Sequence, residues 1–147
     1  MTTATQSRPQ SHTVSPKGML IGGQWGESAS GGRITVENPA KKTPVAEVPR
    51  GTAADVDRAV AAATKAYADW RKVAPRDRGK VLLKIAEALQ ARTEELARTI
   101  SLETGNALRT QARGEANLTA DIFRYFGGLG SELKGETLPL GEHVLSY

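Results

Sequence analysis

The spacing of apolar residues changes at Gly51, and this change constrains the fold more than any other feature of the sequence. Before it, short stretches of alternating polar and apolar residues are separated by glycine pairs and an asparagine-proline step. This pattern is typical of short strands joined by turns. After Gly51, apolar residues return every three or four positions, which is the repeat of an amphipathic helix. The sequence therefore predicts a mainly helical chain that begins with a small sheet.

Turn residues predict where the amino-terminal strands lie. Gly22-Gly23 is a two-residue turn signal and predicts a tight hairpin over residues 19–25. Residues 33–37 alternate as a strand does, and this strand should end at Asn38-Pro39, because proline cannot donate to a ladder. Residues 45–48 predict one more short strand.

Four helices are predicted after Gly51. Thr52 and Asp55 resemble a capping pair at the start of the first helix. Pro75 suits the first turn of the second helix, and Gly105 is expected to close the third. These residues set boundaries because each acts on the backbone locally.

The fourth predicted helix runs from near Ala107 to near Leu133, and His143–Tyr147 then alternates like the start of a strand. In each of the long helices the helical repeat predicts one buried face. These faces comprise Val56, Val60, Ala63, Tyr67 and Trp70 in the first helix, Val81, Leu82, Ile85, Ala86 and Leu89 in the second, and Leu108, Ala112, Thr119, Ile122, Phe123, Phe126 and Leu129 in the fourth.

Composition excludes several classes of protein. The 147 residues contain no cysteine, which excludes a disulfide framework and a cysteine nucleophile within this chain. After Glu27, Lys and Arg alternate with Asp and Glu, so the net charge of +4 predicts a solvated mixed surface rather than nucleic-acid binding. No apolar run approaches the ~18 residues of a membrane span. Residues 1–18 lack a secretory signal's apolar stretch and predict a disordered leader. Cytoplasmic localisation is expected.

Local motifs assign no catalytic and no cofactor-binding residue. Gly127-Gly128-Leu129-Gly130 lies at the end of a helical pattern, not between a strand and a helix. A close packing contact or a loosened helix end therefore explains these glycines better than a phosphate loop does. His12 and His143 each stand without cysteine, histidine or an acidic cluster at metal-ligand spacing.

An ordered set of short strings resembles the aldehyde dehydrogenase superfamily, and the resemblance covers about everything after Lys17. Each string alone is weak, but their order is specific. At two places the sequence departs from the family pattern: Lys41-Lys42-Thr43 stands where Thr-Gly-Glu is usual, and Asn106 replaces a lysine. The strings are Leu20-Ile21-Gly22-Gly23-Gln24-Trp25, Asn38-Pro39-Ala40, Val56–Ala63 with Tyr67 and Trp70, Arg78 with Leu82, Leu83, Ile85, Ala86 and Leu89, Glu103-Thr104-Gly105-Asn106, Phe123-Arg124-Tyr125-Phe126 and Lys134–Pro139.

The resemblance implies an α/β fold and an oxidoreductase activity. Residues 19–147 would form part of an amino-terminal NAD(P)-binding domain, with helices and strands outside a Rossmann-type sheet that comes later in the chain. In the family, a cysteine thiolate attacks the aldehyde, hydride passes to NAD(P)+, and a glutamate-activated water releases the acid. Because this chain has no cysteine, we expect a truncated piece that is inactive alone and binds no cofactor.

Three functions stay open from the sequence. The first is an acid-forming aldehyde dehydrogenase, and the second is a relative that acylates CoA; the residues that distinguish them would lie beyond Tyr147. The third is a helical interaction module without catalysis, which an ending inside an alternating stretch disfavours. The resemblance implies an aldehyde substrate and a homo-dimer or homo-tetramer for the full-length protein.

The resemblance also implies a site for a monovalent cation. In part of the family, an acid at the Glu-Thr-Gly turn and backbone carbonyls near the Asn-Pro turn hold such an ion. By position, these ligands are Glu103 and the carbonyls of Val36 and Glu37. Oxygen ligands suit a hard cation. The simpler alternative is a solvated Glu103 before the glycine cap, because a remaining ligand would lie beyond Tyr147.

Overall fold

A computed structural model of the protein describes residues 18–132 and 134–146. This part of the chain divides into two compact units. The first unit consists of the described residues up to Ala66 together with Thr99–Asn106. The second consists of Tyr67–Arg98 and the described residues from Ala107 onward. The predicted leader, apart from Gly18, lies outside the described residues.

The first unit begins with the predicted hairpin. Strand β1 (Met19–Ile21) pairs antiparallel with β2 (Gln24–Gly26), and Leu20 stands opposite Trp25. The turn needs its two glycines, because Gly22 and Gly23 both have positive φ angles, which cost a residue with a Cβ atom about 1–2 kcal/mol.

A second hairpin follows. Strand β3 (Arg33–Asn38) pairs antiparallel with β4 (Thr43–Pro49), and a bulge shifts the register between Val36 and Glu37. The strand β4 is longer than the predicted 45–48. Proline at both of its ends is tolerated, because each strand of a two-stranded sheet has a free edge.

The helices begin and end close to the predicted signals. Pro75 lies in the first turn of the second helix, and Gly105, with a φ of +78°, follows the last residue of the third. The fourth predicted helix is divided, because the Ala112 N–H donates to the carbonyl of Ala107 and so opens a π-helical turn before the regular α-helix. The bounds are α1 (Ala53–Trp70), α2 (Pro75–Ala91), α3 (Thr93–Thr104), the π-helical turn Leu108–Ala112, α4 (Arg113–Gly128) and a 3-10 turn, Leu129–Ser131.

Glycines bring α2 and the end of α4 into close contact in the second unit. A Cβ atom at Gly79 would lie 2.5 Å from the carbonyl oxygen of Gly127, and one at Gly130 would lie 3.0 Å from the Cα atom of Gly79. No side chain fits at these distances. The predicted close packing contact at the 127–130 glycines is therefore what the structure shows.

The apolar faces are buried less than the repeat predicted. The buried alanines of the second unit are Ala86, Ala97, Ala112, Ala116 and Ala120, whereas Ile122 and Phe126 are 47% and 55% exposed. The remaining predicted face residues that are exposed are Val56, Val60, Ala63, Tyr67, Trp70, Val81, Thr119 and Leu129. Periodicity identifies an apolar stripe, but the close glycine contact between α2 and α4 selects small residues for burial.

The carboxyl end differs from the predicted strand. Leu138 and Ser146 form one isolated antiparallel bridge, and the alternating stretch after His143 makes no longer ladder among the described residues. A strand needs a partner along its length, and one bridge supplies a single step of pairing. No helix in the described ranges is long and apolar enough to cross a membrane.

Candidate functional site

The Glu103-Thr104-Gly105 turn is fixed by its own hydrogen bonds. The hydroxyl of Thr104 donates to the carbonyl of Ile100 at 2.7 Å and accepts the N–H of Asn106 at 3.2 Å. The N–H of Gly105 donates to the Ser101 carbonyl. Glu103 lies in the last turn of α3, and its side chain is exposed.

The Asn38-Pro39 turn is fixed in a similar way. Asn38 is buried, and its Oδ1 accepts the N–H groups of Ala40 at 2.9 Å and Lys41 at 3.2 Å. The N–H of Lys42 donates to the Asn38 carbonyl, and Lys42 has a φ of +55°. A side-chain amide that caps its own turn replaces the backbone partners that the chain loses on reversing direction.

The two turns meet inside the first unit. A Cβ atom at Gly105 would lie 3.0 Å from Cγ of Pro39, so the proline ring packs on the glycine. Position 105 requires glycine for two reasons, the positive φ and this contact. The structure therefore brings together the turns that carry the predicted cation ligands.

The predicted ligands differ in exposure and in partners. Val36 is half-buried, whereas Glu37 is exposed and its carboxylate lies 3.8 Å from Nζ of Lys42. Their carbonyls flank the bulge of β3, and bulges redirect backbone groups. Pro44, which is paired with Glu37, has no N–H to donate. In the described ranges, no three histidine, cysteine or acidic side chains are grouped to hold a metal ion.

The glycines at 127–130 do not form a phosphate loop. Gly127 and Gly128 end α4, Gly130 lies in the 3-10 turn after it, and Gly127 and Gly130 are packed against α2 at Gly79. Their backbone N–H groups are therefore not arranged as the cradle that a strand-turn-helix motif offers. His143 lies in an exposed turn, and His12 lies outside the described residues.

Asp55 is the residue whose role sequence reasoning understated. The sequence predicts Asp55 only as the acid of a capping pair with Thr52, but Asp55 is 3% exposed and also accepts hydrogen bonds from Ser28 and Ala29, in the connection between the two hairpins. Burial alone would raise the pKa of Asp55. Together, the backbone N–H groups of Thr52 and Ala29 and the hydroxyls of Thr52 and Ser28 lower this pKa by a larger amount, so it lies well below its usual range. The capping motif indicates Thr52 as a partner of Asp55, but nothing in the nearby sequence indicates Ser28 and Ala29.

Comparison with known proteins gives this fold a family. The sequence profile of the aldehyde dehydrogenase family matches residues 25–147. Over 120 residues the chain is 41% identical to malonate-semialdehyde dehydrogenase 1 of Shouchella clausii, covering 82% of this chain and 24% of that protein. Over 127 residues it is 39% identical to phenylacetaldehyde dehydrogenase of Pseudomonas fluorescens, covering 85% and 25%.

A solved structure agrees with this assignment. The crystal structure of an NAD-dependent aldehyde dehydrogenase from Sinorhizobium meliloti superposes with a TM-score of 0.83 and 34% identity, over 92% of this chain and 28% of that one. These likenesses confirm the predicted α/β class, mainly helical here with short strand hairpins. The chain belongs to the aldehyde dehydrogenase family. It spans about a quarter of the length of these relatives.

Proposed function

We propose that the protein to which this chain contributes oxidises an aldehyde to a carboxylic acid with NAD(P)+ through a cysteine thiohemiacetal. The observation that carries this proposal is the family match over residues 25–147. The likeness to a solved NAD-dependent aldehyde dehydrogenase supports the cofactor. The two relatives are named for a carboxylated and an aromatic aldehyde, and their identities to this chain are nearly equal. This segment therefore does not discriminate the substrate, and we propose the aldehyde class only.

Within this proposal, residues 19–147 belong to the NAD(P)-binding, Rossmann-type domain and contribute its outer helices and hairpins. The 147 residues hold no cysteine, and Gly127 and Gly130 are packed against α2. We therefore expect the chain alone to bind no NAD(P)+ and to oxidise no aldehyde. Family membership argues against an interaction module without catalysis, whereas the acid-forming and CoA-acylating reactions differ only in what releases the acyl group.

The test uses the 147-residue chain and the reading frame that contains it. We expect the chain, with several aldehydes and either cofactor, to give no more reduced nicotinamide than a protein-free blank. Reduction above the blank, retained after repeated purification, would contradict the inactivity. A downstream sequence that encodes a cysteine after a cofactor motif supports the oxidoreductase, and its absence from the whole frame contradicts it. With the longer protein, acid formed without CoA distinguishes the first reaction from the second.

We also propose that Glu103 and the carbonyls of Val36 and Glu37 hold a monovalent cation in the longer protein. The contact between Pro39 and Gly105 supports this, because it joins the two turns. The bulge of β3 between Val36 and Glu37 supports it too, because bulges redirect backbone groups. We expect Glu103→Gln to abolish a potassium-dependent rise in melting temperature, whereas Glu87→Gln, an exposed acid on α2, leaves it in place. Equal potassium dependence in both variants favours the solvated acid.

Assembly and location complete the proposal. We propose a homo-dimer or homo-tetramer of the longer protein in the cytoplasm. Exposed apolar side chains on α4 and near the carboxyl end, including Ile122, Phe126 and Leu145, support association. Size-exclusion chromatography with light scattering measures the subunit number, and a monomer at micromolar concentration contradicts the assembly.

A further inference from the structure

Asp55 joins two parts of the first unit that are distant in sequence. Its Oδ2 accepts the hydroxyls of Ser28 and Thr52, each at 2.8 Å, and the N–H of Thr52 at 2.9 Å. Its Oδ1 accepts the N–H of Ala29 at 3.0 Å and the guanidinium of Arg58 at 2.5 Å. Three of these groups belong to the start of α1, and two belong to the connection that leaves β2. The carboxylate therefore ties that connection to the helix.

Every partner of this carboxylate is a donor. An ionised aspartate accepts from all five donor groups, whereas an asparagine would turn an NH2 group toward some of the same donors. Among the described residues, the charged side chain paired with it is Arg58, on α1 itself. From the connection, the nearest charged residue in sequence is Glu27, which pairs with Arg33 at 2.8 Å. The tie thus requires the ionised side chain rather than a polar group of similar shape.

Two further contacts join the hairpin formed by β1 and β2 to the segment that carries α1. At its turn, a Cβ atom at Gly22 would lie 3.7 Å from Cβ of Ala62, an ordinary contact between small groups. At its start, Sδ of Met19 comes within 3.9 Å of where a Cβ atom of Gly51 would be. Leu20 and Trp25, which stand opposite each other in the hairpin, are each 56% exposed. Both of these contacts are apolar, whereas the hydrogen bonds of Asp55 to Ser28 and Ala29 join α1 to the chain that leaves the hairpin.

We propose that Asp55 is a latch: it holds the β1–β2 hairpin on α1, and opening it releases the hairpin as one piece while α1 stays folded. The hairpin can move as a unit because its own ladder does not involve Asp55. The hinge is the connection around Ser28 and Ala29, where both released bonds lie. Release would expose the half-buried side chains of Met19 and Ile21. The hairpin therefore stays attached to the first unit only while Asp55 keeps its hydrogen bonds to Ser28 and Ala29.

The test follows the hairpin and the helix separately. A Trp70→Phe background leaves Trp25 as the single tryptophan, so its fluorescence anisotropy reports the hairpin. In this background, Asp55→Asn should lower the anisotropy and speed amide exchange at Ala29 about tenfold or more, while amides in the middle of α1 keep their protection. The matched control is Asp57→Asn, an exposed acid on the same helix, which should change neither. Asp55→Glu, which keeps the carboxylate, should restore part of both signals.

Each remaining outcome decides the proposal. Unchanged anisotropy and Ala29 exchange in Asp55→Asn would overturn it. Equal loss of protection in the hairpin and in α1 would also overturn it, because Asp55 would then support the unit as a whole. If Asp55→Asn does not fold, Ser28→Ala removes one bond to the connection and should give the same selective exchange in weaker form. In the Trp70→Phe chain with Asp55 retained, the anisotropy should stay constant from pH 7 to about 5, the range in which ordinary carboxylates stay ionised. A release centred above pH 5 would contradict the latch.

Discussion

The two compact units bury different kinds of residue. In the first unit, the buried described residues are Ser28, Asn38 and Asp55, all polar and all hydrogen-bonded. In the second unit, they are five alanines together with Gly79 and Gly127. No buried side-chain nitrogen or oxygen in the described ranges lacks a hydrogen-bond partner. The first unit thus depends on particular acceptors and donors, and the second depends on the absence of side-chain volume.

This difference decides which changes each unit should tolerate. A buried polar group resists replacement by anything that cannot make its hydrogen bonds, even at equal volume. A close backbone contact resists any added atom, even an apolar one. The first unit should therefore respond to charge and pH, and the second to a single methyl group.

The largest effect is expected for Gly79→Ala. The new Cβ atom would lie 2.5 Å from the carbonyl oxygen of Gly127, and backbone atoms on both sides must shift. Overpacking of this kind costs typically 1–3 kcal/mol, more than the ~1 kcal/mol that alanine gains over glycine in a helix. We expect a net loss of about 1–2 kcal/mol in the free energy of unfolding, measured as a lower urea midpoint at unchanged slope.

Gly128→Ala is the control for this loss. Gly128 lies in α4 next to Gly127, but a Cβ atom there would meet nothing within 4 Å. We expect no destabilisation, and a gain of up to about 1 kcal/mol. Similar losses in both variants would mean that the close contact between α2 and α4 does not hold the second unit.

The second effect concerns the acid limit of the first unit. The folded-state pKa of Asp55 lies below its unfolded value because the N–H and hydroxyl donors outweigh burial. The ionised carboxylate therefore stabilises the fold at every pH above the unfolded value of about 3.9, and this contribution declines as the pH falls further. Asp55→Asn should weaken the attachment of the β1–β2 hairpin by a constant amount from pH 7 to about 4, and the difference from the unsubstituted chain should shrink below that.

Amide exchange at Ala29 across this pH range, relative to the intrinsic exchange rate at each pH, measures the difference. Asp121→Asn provides the counterpart in the second unit, because Asp121 is exposed and pairs with Arg124 on the surface of α4. Its effect should be small at every pH, since exposed ion pairs contribute little. If Asp121→Asn changed the pH dependence as much as Asp55→Asn did, the pH dependence could not be attributed to the buried carboxylate of Asp55.

Local backbone signals in the sequence predicted the elements well. The Gly22-Gly23 turn, the end of β3 at Asn38, the start of α2 at Pro75 and the end of α3 before Gly105 all lie where predicted. Glycine and proline act on their own φ angles, so their effect is readable without the rest of the fold.

The buried face of α4 was not predictable in the same way. The helical repeat selected Ile122 and Phe126, whereas the structure buries Ala116 and Ala120. The choice depends on how closely α2 approaches, and that depends on Gly79, far away in the sequence. For the candidate site, the sequence located the turns of Glu103 and Pro39, but nothing local indicated that they meet. Only the family resemblance indicated that these two turns lie together.

A smaller effect, of opposite sign, is expected at Lys42. It has a φ of +55°, and in the resembling family a glycine usually stands at this place in the turn. The left-handed conformation costs a residue with a Cβ atom about 1–2 kcal/mol, part of which glycine returns through the entropy of the unfolded chain. Lys42→Gly should therefore raise the free energy of unfolding by roughly 0.5–1 kcal/mol. Lys41→Gly, in the same turn without a positive φ, should lower it slightly, and a gain in both would point to lost charge instead of relieved strain.

The smallest change in stability is expected on the outer face of α4, where Ile122 and Phe126 are half exposed or more. Replacing both with glutamine removes little buried surface, so the free energy of unfolding should change by no more than about 0.5 kcal/mol. Association should change much more, because contiguous exposed apolar patches promote contacts between molecules. We expect the 147-residue chain to scatter light at micromolar concentration, and the double variant to scatter less at the same melting temperature. Phe123→Gln, a half-buried neighbour, should instead lower the melting temperature. If the double variant loses as much stability as Phe123→Gln, then Ile122 and Phe126 also stabilise the second unit. The claim that this unit depends on closely packed small residues alone would then be wrong.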